Sequence, residues 1–79
     1  MLIKLYTGPH CELCDQAKEL IYPFINQGVE FQEVDVTQSL ETKRKYGLRI
    51  PVLTKQGDNT ELFWPFSYED LEIFLFSGF

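Results

Sequence analysis

A chain of 79 residues has the length of one small domain, and its hydrophobic fraction of 44%, with 15% aromatic, supplies a core without a metal or disulfide staple. Its net charge of −5 repels phosphate backbones and no basic stripe is interleaved with aromatics, so nucleic acid is not an expected partner. No apolar segment approaches a membrane span and Met1–Tyr6 is too short for a signal peptide, which makes the reducing cytoplasm the expected compartment and no membrane an expected partner.

In chain order, Leu2, Ile3, Leu5 and Tyr6 form an apolar run that stops at Thr7-Gly8-Pro9, the pattern of a buried strand and a turn. From Cys11 the period becomes helical: Cys14, Ala17, Ile21 and Phe24-Ile25 recur, with Glu12, Asp15, Gln16, Lys18 and Glu19 between them. Pro23 has no N–H for the carbonyl of Glu19 and is expected to kink this helix, with Gly28 as its stop. Val29–Val36 is the second strand. Its apolar alternation slips between Phe31 and Val34, which implies either a bulge or two differently covered faces.

Thr37 or Ser39 is expected to cap a short helix that runs to Tyr46 and ends at Gly47. Ile50-Pro51-Val52-Leu53 opens a third strand, Gln56–Asn59 has turn composition, and Glu61–Trp64 returns as a fourth. Ser67 and Asp70 have capping-box spacing, with Phe66 and Leu71 placed as the accompanying hydrophobic staple. The helix they open is expected to bury Leu71, Phe74 and Leu75. The order is βαβαββα, and one α/β domain over residues 1–79 accounts for the chain.

The chemistry is concentrated at Cys11-Glu12-Leu13-Cys14, between a strand-and-turn and a helix. Residues three apart on a helix face the same way, with Cβ atoms about 5–6 Å apart, near the spacing a disulfide tolerates. Cys11, in the first turn, meets unpaired backbone N–H groups and the positive end of the helix dipole, which favour a thiolate. Cys14, one turn deeper, is placed to resolve a mixed disulfide by attacking Cys11. His10, when protonated, adds to this effect and Glu12 opposes it, so a mildly reducing pair is expected over a strongly oxidising one.

Other readings stand beside it. A zinc site built on His10, Cys11 and Cys14 lacks a fourth Cys or His within the chain and would have to bridge two copies. A purely structural disulfide closes so short a loop that it adds little stability. Trp64 and Phe66 fit a core role better than a binding one. Lys43-Arg44-Lys45 fits a solvated helix face, with docking of an anionic substrate as its alternative.

Tyr6 to Cys14, together with Ile50-Pro51-Val52-Leu53 and the element order, resembles the thioredoxin superfamily and glutaredoxins most closely. Cys11 to Asp15, Tyr46 to Leu53, and Trp64-Pro65-Phe66 look like a small, largely uncharacterised glutaredoxin-like family. The resemblance implies a thioredoxin-like fold, its four-stranded mixed sheet in the order 2-1-3-4 flanked by three helices. It also implies that Cys11 attacks, Cys14 resolves, and Pro51 faces them after a cis bond to Ile50.

Ile50 would then lie against the cysteines with Arg49 bordering the substrate groove, and Ser67 would open the helix that meets a ligand's carboxylate. Trp64-Pro65-Phe66 stands where many glutaredoxins have paired glycines, which argues for weak glutathione binding. The expected protein is therefore a monomeric thiol–disulfide oxidoreductase without a bound cofactor or metal. It acts on a disulfide-containing protein or a glutathione-type substrate, with glutathione itself a weak reductant. The alternative is a non-catalytic module of the same fold that holds a metal, an iron–sulfur cluster or a partner protein.

Overall fold

The computed structural model describes residues 1–57 and 60–77, Ser77 through its backbone alone; part of the expected turn, at 58–59, lies outside them. Strand β1 (Leu2–Thr7) lies inside the sheet between a parallel strand β2 (Glu30–Asp35) and an antiparallel strand β3 (Val52–Lys55). Strand β4 (Glu61–Phe63) pairs antiparallel with β3, which gives the order β2-β1-β3-β4 expected from the resemblance. Helices α1 (Glu12–Ile21), α2 (Leu40–Tyr46) and α3 (Tyr68–Glu72) complete the βαβαββα order.

Alternation along the strands divides the core in two. Ile3 and Leu5 of β1, with Leu53 of β3, face Ala17 and Ile21 of α1, Phe24 beyond it, Leu71 of α3, and Phe74 and Leu75. On the other face Val52, Val36 and Tyr46 of α2 form a smaller cluster, with Tyr6 and Ile50 packed against it. Phe24 and Phe74 are fully buried; each such ring contributes about 1.5–3 kcal/mol through burial.

Several sequence expectations change in detail. β1 is not buried on both faces: Ile3, Leu5 and Thr7 are buried while Leu2, Lys4 and Tyr6 are half-buried. β2 pairs with β1 in unbroken register from Leu2↔Glu30 to Thr7↔Asp35, so the slip in its pattern is not a bulge. Phe31 shares a face with Ile3, and Val34 with Tyr6; the two faces are covered by different clusters.

Pro23 does not kink α1. The helix stops at Ile21, and Tyr22–Phe24 form a separate 3-10 turn in which Pro23 has no intrahelical bond to lose. Val36 leaves the strand for a 3-10 turn over Val36–Gln38, because the Asp35 side chain accepts from the Thr37 N–H at 2.8 Å and from the Thr37 hydroxyl at 2.7 Å. The Thr37 hydroxyl and N–H hold the Asp35 carboxyl below its usual range.

Ser39 is the N-cap residue of α2, but its side chain makes no capping bond. Gly47 does end α2, at helical φ; a Cβ there would overlap the Lys43 carbonyl oxygen, and this sets the need for glycine. β3 starts at Val52, after Pro51, and β4 ends at Phe63, one residue before Trp64. Before α3 the capping box forms in full: the Ser67 hydroxyl accepts from the Asp70 N–H at 3.1 Å, and Asp70 accepts from the Ser67 N–H at 2.9 Å. Phe66 and Leu71 both enter the main core, as a staple requires. The chain then continues through a π-helical turn over Ile73–Ser77.

Tyr46 ties α2 to the sheet. It is buried, its ring lies 4.5 Å from that of Tyr6, and its hydroxyl donates to the Glu61 carboxylate on β4. Burial, and then the Glu61 carboxylate, push the phenol well above its ordinary value. The folded protein thus keeps this proton at pH values where the unfolded chain releases it. The resulting stability is complete below about pH 10 and is lost as pH rises beyond it. Urea denaturation of wild type and Tyr46→Phe across that range is expected to give a steeper alkaline loss in wild type; parallel pH profiles would remove Tyr46 as the cause.

Candidate active site

Cys11 and Cys14 form a disulfide with their Cα atoms 5.2 Å apart. The two ends differ. Cys11 is half-buried in extended conformation at the N-cap of α1, and its Sγ accepts the N–H of Cys14 at 3.1 Å. Cys14 lies within the helix and is 2% exposed. A sulfur that has become the cap of a helix can carry negative charge beside the free N–H groups of the first turn. The sulfur behind it is shielded from any large reagent.

Two features hold the loop in this shape. His10, just before the pair, has φ +55°, the left-handed region that costs an ordinary residue about 1 kcal/mol. Gly8 passes close to the side chain of Ile50; a Cβ there would lie 2.8 Å from Ile50 Cδ1. The loop and Ile50 are thereby pressed together across the end of the sheet. The Ile50–Pro51 peptide bond is cis, as is Trp64–Pro65, and Pro51 is buried.

Behind the disulfide, a small polar network links α1 to the sheet. The Lys18 ammonium lies 2.7 Å from Glu33 of β2, and the Thr7 hydroxyl at the end of β1 donates to the same carboxylate at 3.2 Å. The hydrogen bond to Glu33 raises Lys18 above its ordinary value. A cleft of about 310 Å³ runs from His10 and Cys11 past Cys14 to Thr7, Asp15 and Lys18.

Of the substrate-contact residues expected from sequence, Ile50 and Arg49 share the walls of a cavity of about 470 Å³ with Leu13, which lies between the cysteines. Arg49 is exposed, its guanidinium 5.6 Å from the centre of the Phe63 ring. Ser67 is not brought into the cavities around the pair among the described residues; its hydroxyl and amide are both taken by Asp70.

Leu48, Phe63 and Trp64 complete the 470 Å³ cavity. Leu13, Leu48 and Phe63 were not singled out from sequence. Leu48 had a signal, as an apolar residue outside any helical or strand period. Trp64 has both of its weighed roles: it packs against the core, edge-on to Phe66 at 5.0 Å between ring centres, and it walls the cavity. His10, Cys11 and Cys14 find no further ligand: among the described residues no three or more His, Cys, Asp or Glu side chains are grouped to hold a metal ion. Among the same residues, no helix is long and apolar enough to cross a membrane.

Residues 2–76 match the family model described as Glutaredoxin-like domain (DUF836). The X-ray structure of target protein XcR50 from X. campestris is similar at 34% identity and a TM-score of 0.81, covering 92% of this chain and 93% of that one. The solution structure of XcR50 is similar at 35% identity and a TM-score of 0.78, covering 95% and 92%. A malarial protein shares the fold at 16% identity and a TM-score of 0.65, covering 89% and 86%.

The left-handed position of His10 makes a test of the loop. His10→Gly removes the Cβ conflict and His10→Ala keeps it, while both lose the imidazole. His10→Gly is expected to exceed His10→Ala in stability by about 1 kcal/mol in urea denaturation of the oxidised protein; an equal or lower stability would mean that φ at this position is not strained.

Proposed function

Because this chain belongs to the glutaredoxin-like domain family and has a thioredoxin-like fold, we propose that it is a thiol–disulfide oxidoreductase that reduces protein or small-molecule disulfides. The observation that carries this reading is the asymmetry of the pair: Cys11 Sγ capping α1 at its half-buried start, Cys14 buried behind it.

In the reduced protein the Cys11 thiolate attacks a sulfur of the substrate disulfide. One Cys11–substrate S–S bond forms, the substrate S–S bond breaks, and the first substrate thiolate leaves and takes a proton from water. Cys14 then loses its proton to solvent through the cleft beside Lys18 and attacks Cys11 Sγ. The Cys11–Cys14 bond forms, the mixed disulfide breaks, and the second substrate thiolate leaves and is protonated in turn. Two electrons pass from the pair to the substrate, and an external thiol or dithiol returns them.

Ile50, Pro51 and Arg49 border the substrate in this reading. Ser67 is the candidate contact for a carboxylate at the start of α3. The Asp70 carboxylate already accepts from the Ser67 amide, so a second carboxylate meets competition there. Weak glutathione binding follows from that competition; Phe66 is buried in the core and adds no bulk there, while Trp64 narrows the cavity beside Leu13.

The test is the reduction of hydroxyethyl disulfide coupled to an external dithiol. Wild type is expected to turn over. Cys11→Ser is expected to be inactive, and reduced Cys14→Ser, mixed with hydroxyethyl disulfide after the dithiol is removed, to stop as a mixed disulfide at Cys11 that mass spectrometry detects. An active Cys11→Ser variant would overturn the assignment of the nucleophile, and an inactive wild type would overturn the reading itself.

A further inference from the structure

The cavity beside Leu13 and Trp64 is one of two that meet at the same ridge. A second, of about 540 Å³, shares Leu48 and Ile50 with it and is otherwise lined by Gly8, Pro9 and residues on and flanking α2. Its lining is mostly apolar, with Val36 buried and Leu40 exposed, and Lys43 and Arg44 line it as well. Leu48, on the ridge, is 103% exposed, and Leu40, Leu13 and Phe63 are exposed apolar residues around it. Single exposed apolar side chains are ordinary; several lining adjoining cavities beside a reactive pair form a patch.

The charge is as uneven as the apolar surface. Lys43, Arg44, Lys45 and Arg49 are four of the seven cations in a chain of net charge −5. Lys45 points to Glu61 at 3.9 Å and lies over the Tyr46 ring, and Arg49 lies over Phe63. Among the described residues, Lys43 and Arg44 have no ion-pair partner and face the larger cavity. Cations in the last turn of a helix favour its dipole, but that role does not call for a mostly apolar cavity beside them.

We infer that the two cavities select the substrate, which is an extended polypeptide carrying an acidic residue on one side of its disulfide cysteine and a large apolar residue on the other. With the cysteine over Cys11, the chain crosses the Leu48–Ile50 ridge. The carboxylate meets Lys43 and Arg44, and the apolar side chain fills the space between Leu13 and Trp64. Glutathione has the carboxylates but no large apolar side chain, so it leaves the second cavity empty. This inference rests on the oxidoreductase reading and deepens it.

The test uses the reduced protein in single turnover with short peptides whose cysteine is in a mixed disulfide with 2-mercaptoethanol. Each peptide carries phenylalanine on one side and glutamate on the other, in both orders, beside versions with lysine for glutamate or glycine for phenylalanine. Glutathione disulfide and hydroxyethyl disulfide complete the set. In one of the two orders the glutamate peptide is expected to react about tenfold faster than its lysine version at low ionic strength, with the gap closing as salt is added.

The double variant Lys43→Glu/Arg44→Glu is expected to reverse that preference, and Leu48→Ser to remove most of the preference for phenylalanine over glycine. Equal rates across the peptides, or glutathione disulfide faster than all of them, would overturn the groove assignment while hydroxyethyl disulfide is still reduced. Failure to reduce hydroxyethyl disulfide would instead count against the oxidoreductase reading beneath it.

Discussion

The hydrogen bond from the Cys14 N–H to Cys11 Sγ joins the fold of this protein to its chemistry. A helix start needs an acceptor for its free N–H groups, and serine, threonine, asparagine or aspartate ordinarily supplies one. Here sulfur takes that place, and a thiolate in it would be stabilised by the same amide that the helix has to satisfy. The position of the second sulfur follows from the helix itself, which turns Cys14 toward the core three residues later. One element is capped by the first sulfur and buries the second.

That arrangement depends on where α1 begins, which the sheet decides. β1 directs Ile3 and Leu5 into the main core, and α1 must lie over them with Ala17 and Ile21 facing inward. Lys18 and Thr7 meet at Glu33 of β2, a half-exposed contact that adds little to the packing of Ala17 and Ile21. The turn between β1 and α1 is then short, and its geometry is met by a histidine in a left-handed conformation and by Gly8 against Ile50. The apolar ridge beside the pair follows from the same closeness, since Ile50 and Leu48 border both cavities.

Much of this was legible in the sequence where the rule is local. The cysteine spacing, the Ser67–Asp70 box with its Phe66–Leu71 staple, and the apolar period of α1 as far as Ile21 are short-range patterns, and each formed. α1 does not reach Ile25, which is exposed, or the expected stop at Gly28. Errors arose where two local rules compete. Asp35 and Thr37 outbid the strand for Val36, and the N–H missing at Pro23 ended α1 where a kink was expected. The slip between Phe31 and Val34 admitted two readings until the register with β1 selected the one with two covered faces. The groove was the least legible part, because Leu13, Leu48 and the Phe63-Trp64 pair come from three separate parts of the chain and no spacing connects them. A family resemblance supplied the sheet order, which periodicity alone does not encode.

The central claim is that capping α1 makes Cys11 the more acidic thiol of the pair. Carbon-13 chemical shifts of the two cysteine Cβ atoms, followed against pH in the reduced protein, test it directly. The account predicts that Cys11 ionises first, below the free-thiol value of about 8.5, and that Cys14 ionises above it. Ionisation of Cys14 first, or of both thiols together at or above that value, would contradict it.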